Sequence, residues 1–167
     1  MGSGKTTVGR LVAVTLGRRL VDLDHEVERR EKCTVADVFA REGETGFRRA
    51  ELAALEEVLG GVAPVGGEAD GGLVLALGGG ALTQPQARAL LEARGDVVVV
   101  HLQTLPEEAW ERVEDSGRPL ARSREAFAAL AAEREDVYRE SADLVIDTAG
   151  LTPLEVAERV VKMVLSS

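Results

Sequence analysis

The chain is expected to fold as an α/β three-layer sandwich, with a parallel sheet between two layers of helices. Three observations predict it. Short apolar runs alternate with stretches of helical spacing, the pattern of a parallel sheet with crossover helices. One of those runs, Leu73-Val74-Leu75-Ala76-Leu77, is apolar without a break, as in a strand buried on both faces, and it ends in three glycines. The chain also opens on Gly2-Ser3-Gly4-Lys5-Thr6-Thr7, the later half of the G-x-x-x-x-G-K-[ST] loop that wraps phosphate ahead of a helix.

The elements follow in order. Residues 5–16 carry Val8, Leu11, Val12, Val14 and Leu16 at helical spacing, and Gly17 is a fitting stop. Residues 19–24 alternate apolar and polar and read as a short strand ending in Asp22 and Asp24, two positions apart and so on one face. Charged residues 25–32 are helical. A second helix covers 35–41 after Thr34, Gly43 breaks it, and a third spans 44–59 with Phe47, Leu52, Leu55 and Leu59 inward. Residues 60–72, rich in Gly, Ala and Pro, form a surface loop. Strands at 73–77, 97–102 and 144–147 alternate with helices at 85–94, 106–115, 124–140 and 153–165. Neither side of the 60–72 loop could fold alone, so 1–167 is expected to be one domain.

Composition narrows the function. With 45% hydrophobic but only 3% aromatic residues, the core must be built from Val, Leu and Ala. A net charge of −9 argues against nucleic acid, whose phosphates demand clustered Lys and Arg. The acidic runs from Glu26 to Glu31 and from Glu51 to Glu57 read as solvated helix faces. Cys33 is the only cysteine, so no intramolecular disulfide or cysteine metal cluster can form. No signal peptide or membrane-spanning run is visible, and a cytoplasmic monomer without a membrane partner is expected.

Ligands of parallel sheets sit at the carboxyl ends of the strands. The phosphate loop, the Asp22/Asp24 pair and the Gly78-Gly79-Gly80 turn all fall there. In such a loop the backbone N–H groups of Gly2 to Thr7 surround phosphates, Lys5 reaches the β/γ oxygens and the Thr6 hydroxyl binds Mg²⁺. The helix that follows adds its positive end. Asp22 is placed for the metal and Asp24 for an acceptor hydroxyl. Taken alone, the aspartate pair also reads as a strand-end turn that caps a helix. His25 reads as a surface residue, His101 and Tyr138 as structural, and Trp110 as packing.

The motifs GSGKTTVG, VDLDHEVE, TVADVFAREGETGFRRAE, LALGGGALT, SGRPLA and AEREDVY stand in this order over nearly the whole chain. Together they resemble the shikimate kinase family, in the nucleoside-monophosphate-kinase-like branch of P-loop proteins. The resemblance implies ATP and Mg²⁺ as nucleotide and metal, shikimate as acceptor, and a place in aromatic amino-acid biosynthesis. Position by position it implies Asp22 on the metal side and Asp24 on the shikimate hydroxyls as the catalytic carboxylate. It implies Arg48, steadied by Glu51, and Arg134 on the shikimate carboxylate, with Gly78, Gly79 and Gly80 against the ring. Arg112 is implied near the adenine, and Arg118 on the transferring phosphate, in a lid around residues 116–124. A planar guanidinium fork suits a carboxylate.

The chain departs from the family pattern in places. Ala149-Gly150-Leu151-Thr152 lacks a basic residue that the family often has near the adenine, and the 60–72 loop is long. The phosphate loop's first glycine, and the strand leading into it, would lie ahead of Met1. The sheet is therefore expected to lack its central strand, between strands 20–24 and 73–77 on one side and 97–102 and 144–147 on the other. Such a chain is expected to fold marginally and turn over slowly until a buried strand is added. A gluconate-type kinase of the same fold, or an inert nucleotide-binding module, are the alternative readings.

Overall fold

The computed structural model describes residues 2–61, 72–112 and 123–166. Helix α1 (Lys5–Leu16) begins after Gly4, at φ 77° and ψ 20°, and ends at Gly17, at φ 64°, whose N–H closes on the Ala13 and Val14 carbonyls. Both glycines hold left-handed backbone that other residues adopt with strain. Val8 and Val12 are buried, whereas Val14, counted in the apolar pattern, is 76% exposed.

Strand β1 (Arg19–Asp22) stops two residues before the expected end. Asp22 is instead the N-cap of α2 (Leu23–Glu31), its Oδ1 accepting the Asp24 N–H at 3.0 Å. Aspartate at this position satisfies a helix donor that would otherwise lack a partner. Asp24 thus sits in the first turn of a helix rather than on the strand. Helix α3 (Val35–Gly60) starts on a capping box between Thr34 and Asp37 and is broken at Gly43, at φ 67° and ψ −170°. The two expected helices are its two arms.

Strand β2 (Leu73–Ala76) pairs with β1 in parallel, Arg19 opposite Leu73 and Asp22 opposite Ala76. A 3-10 turn at Ala81–Thr83, too short for periodicity to reveal, leads into α4 (Pro85–Glu92). Strand β3 (Val100–Gln103) begins three residues later than expected. Just ahead of it, the Val99 N–H goes to the Asp143 side chain at 2.7 Å, while its carbonyl accepts from the Asp143 and Leu144 N–H groups. Helices α5 (Pro106–Glu111) and α6 (Arg124–Glu140) precede β4 (Leu144–Asp147), which pairs with β3 in parallel. The chain then enters α7 (Pro153–Val164) through a Thr152/Glu155 capping box.

The described strands form two separate two-stranded sheets, β1–β2 and β3–β4. These are the pairs expected on either side of a central strand. One helix layer holds α1 and α7, where Val8, Val12, Val156 and Val160 pack with Ile146. The other holds α2, α3 and α4, where Leu23, Val27, Phe47, Leu55 and Leu91 are buried. Val74 and Val100 turn to the first layer, and Leu75 and Val99 to the second. Neighbouring strand residues thus face opposite layers, and each large apolar side chain fully buried there stabilises by about 1.5–3 kcal/mol. Among the described residues no helix is long and apolar enough to cross a membrane.

Candidate active site

The half-loop at the start packs against α5. Gly2 has φ 67°, and a Cβ there would run into the Ala109 carbonyl. Its own carbonyl accepts from Arg112 Nη1 at 3.3 Å, so Arg112 lies beside the loop. Ser3 and Lys5 are half-buried, and Thr7 is exposed in the first turn of α1. The Thr6 hydroxyl donates to Asp22 Oδ2 at 2.6 Å. A hydroxyl and a carboxylate, both hard oxygen donors, are therefore held together at the positive end of α1.

A second constellation begins two residues further on. A Cβ on Gly78 would stand 2.6 Å from Glu51 Oε1 and 2.8 Å from Asp24 Oδ1, so both carboxylates close on that glycine. Arg48 Nη1 donates to Glu51 Oε2 at 2.7 Å, and its Nη2 donates to Glu44 at 3.2 Å. Arg48 stacks over the Phe47 ring, 5.3 Å from its centroid, and its guanidinium fills the space a Gly80 side chain would need. From α6, Arg134 Nη1 donates to the Gly79 carbonyl at 3.0 Å. Asp24, Arg48, Arg134 and the three glycines, predicted from distant parts of the sequence, thus meet in one place.

Glu51 corrects one expectation. It is not part of a solvated acidic face: it is 1% exposed, and its Oε1 has no hydrogen-bond partner among the described residues. Burial pushes its carboxyl above the ordinary value; Arg48 pulls it back and Asp24 pushes it further up. Gln84 donates to its Oε2 at 3.1 Å and was not foreseen.

Tyr138, expected to be structural, also donates its hydroxyl to the Gly79 carbonyl. The signal available was its position one turn beyond Arg134, on the same face of α6. Burial raises the Tyr138 hydroxyl above its usual value. His101 is the second residue of β3 and tilts against the Tyr138 ring at 5.4 Å. Trp110 packs edge-on against Phe127, as expected, and His25 is exposed. Arg118 and most of the expected lid lie outside the described residues.

Comparison with known proteins bears on this arrangement. A family model for shikimate kinase matches residues 1–165. The shikimate kinase of Tolumonas auensis is 42% identical, over 98% of this chain and 91% of its own length. That of Aromatoleum aromaticum is 44% identical, over 88% of this chain and 80% of its own. Among solved structures, shikimate kinase from Acinetobacter baumannii in complex with shikimate superposes with a TM-score of 0.85 at 37% identity, covering 99% of this chain and 89% of that one. The Aquifex aeolicus shikimate kinase superposes at 0.81 with 28% identity, covering 99% and 92%. With its sequence matched over nearly its whole length and its fold shared, this chain belongs to the shikimate kinase family.

Proposed function

We infer that the protein transfers the γ-phosphoryl group of ATP to the 3-hydroxyl of shikimate, a step of the shikimate pathway. The observation that carries this reading is the link between Asp22 and Asp24. Asp22 reaches Thr6 on the phosphate side, Asp24 reaches the Gly78 turn on the acceptor side, and a 3.0 Å hydrogen bond joins the two residues. Donor and acceptor sites therefore share one rigid corner between β1 and α2. Phosphoryl transfer is chiefly positioning and charge neutralisation, and this corner supplies both.

Lys5 and the N–H groups at the start of α1 hold the phosphates, and Arg112 lies on the nucleotide side beside Gly2. Thr6 and Asp22 would hold Mg²⁺, which when bound neutralises phosphate charge. Asp24 orients the acceptor hydroxyl and takes up its proton. Arg48 and Arg134 grip the acceptor carboxylate beside the glycine turn, and by resemblance Gly78, Gly79 and Gly80 are assigned to the acceptor ring. By resemblance, Arg118 is assigned to the transferring phosphate. We assign the enzyme to the cytoplasm as a monomer; sedimentation of the purified chain checks the monomer.

The test is ADP release measured with shikimate, with gluconate and with no acceptor. Turnover should require shikimate. Asp24→Asn should lower it by roughly 10²–10⁴-fold while ATP still binds. Equal turnover with gluconate, or an Asp24→Asn rate within a few-fold of the parent, would sink the assignment.

A further inference from the structure

Helix α4 begins after Gln84, which holds the N-cap position, yet its side chain makes no bond to its own helix. Serine, threonine, aspartate or asparagine is the usual choice there, because a short side chain's oxygen reaches the first turn. The Gln84 amide instead crosses 33 positions of sequence and donates to Glu51 Oε2 at 3.1 Å. Its backbone is anchored to the glycine turn. The Gln84 N–H goes to the Ala81 carbonyl at 3.2 Å, the Thr83 N–H and hydroxyl go to the Gly80 carbonyl, and the Ala81 N–H goes to the Gly78 carbonyl. Ala81 and Leu82 between them are buried. The glycine turn and Gln84 are therefore one hydrogen-bonded unit, and the amide braces that unit against α3.

Glu51 needs such a brace. The last torsion of a glutamate is broad, so the plane of its carboxylate is set by partners rather than by a rotamer. Arg48 Nη1 donates to Oε2 alone, at 2.7 Å, and one contact leaves the carboxylate able to swing. Arginine and a carboxylate otherwise favour two parallel bonds, with two guanidinium nitrogens engaged. Here the second donor on Oε2 comes from Gln84, and Oε1 faces Gly78 without a hydrogen-bond partner among the described residues. Arg48 Nη2 is left with Glu44, whose side chain is 53% exposed. An exposed ion pair of that kind is worth little and yields readily to an incoming anion.

We propose that Gln84 is a positioning residue for the acceptor: by holding Glu51 Oε2 from the start of α4, it keeps Glu51 to a single bond with Arg48 and leaves the Nη2 edge of the guanidinium for the acceptor carboxylate. This rests on the reading that Arg48 receives that carboxylate. Without the amide, Glu51 closes on two Arg48 nitrogens and takes the place of the substrate.

Two substitutions test it in ADP-release assays and melts. Gln84→Met keeps the side chain's length and removes the donor. Gln84→Ser removes the donor too but gives α4 a capping hydroxyl, so its melting midpoint should not fall below the parent's. Both should raise the shikimate Michaelis constant roughly 2–10-fold, the worth of one hydrogen bond, while kcat and the ATP Michaelis constant hold. A residue serving stability alone would not split the two constants in this way. In an Arg48→Ala background the same changes should leave kcat/KM for shikimate where Arg48→Ala put it, because the effect runs through Arg48. The proposal is overturned by shikimate Michaelis constants equal to the parent's, by an equal rise for ATP, or by the same fold-loss with and without Arg48. A parent indifferent to shikimate would overturn the catalytic reading and this inference together, whereas a shikimate-dependent parent matched by both variants overturns this inference alone.

Discussion

The Thr6 hydroxyl donates to Asp22 Oδ2 at 2.6 Å and so ties the first turn of α1 to the end of β1. The other Asp22 oxygen caps α2. Asparagine caps helices as well as aspartate does but lacks the charge that draws a divalent cation. Asp22→Asn should therefore barely move the melting midpoint, while the Mg²⁺ needed for half-maximal turnover rises roughly 10–100-fold, the range typical when a group serving a metal is lost. Mn²⁺ binding followed by electron paramagnetic resonance in the presence of ATP gives a check apart from turnover. An unchanged metal requirement would remove Asp22 from the metal's site.

Gly78 stands where two carboxylates converge, with Glu51 Oε1 and Asp24 Oδ1 at 2.6 and 2.8 Å from any Cβ it might carry. Gly78→Ala must displace at least one of them. Overpacking of this kind destabilises by about 1–3 kcal/mol. The Michaelis constant for shikimate should rise and that for ATP stay the same, because the displaced groups lie on the acceptor side. Gly95→Ala is the control, since nothing lies near a Cβ there. If both variants behave alike in melts and kinetics, Gly78 has no steric role.

Much of this arrangement was legible in the sequence, for reasons that are local. Gly17 and Gly43 mark breaks because the backbone there has positive φ. Strand β4 and helix α6 ended where their apolar spacing ended. The depth of Glu51 was not legible: a glutamate on a charged helix looks the same whether its face meets water or Arg48 and Gln84. The end of β1 was misplaced because alternation continues through Leu23 and Asp24, while the Asp22 cap turns the chain into α2. The Tyr138 contact with Gly79 joins residues 59 positions apart, which no local pattern reports.

Arg48 and Glu51 form a largely buried pair, with side chains 14% and 1% exposed. Removing one partner of such a pair strands the other's charge, at roughly 3–5 kcal/mol for a fully buried case. Arg48→Ala should accordingly lower the melting midpoint as well as weaken shikimate binding. The added Glu51→Gln change should recover most of the stability and none of the binding. Arg134→Ala leaves the Gly79 carbonyl its Tyr138 donor, and should raise the shikimate Michaelis constant with a smaller effect on stability. A full cycle of melts on the four Arg48/Glu51 combinations measures the coupling. Additive effects would mean that the pair does not act as a unit.

Burial lowers the His101 pKa from its ordinary value of 6.5, and Glu135, 3.6 Å away, only partly restores it. The folded state therefore resists the proton that the unfolded chain accepts. Well above pH 6.5 both states are neutral at this residue and folding is unaffected. As pH falls through 6.5 the unfolded state binds more protons, so stability declines, and the decline levels off once the folded imidazole also titrates. His101→Phe keeps a ring against Tyr138 without a titrating group. Melts between pH 7.5 and 5 should show a falling midpoint for the parent and a flatter profile for His101→Phe, with the two nearest each other in slope above pH 6.5. Parallel profiles across the whole range would assign the acid sensitivity to groups other than His101, though not to the Glu155 and Asp37 capping carboxylates, whose lowered values place their own losses at lower pH.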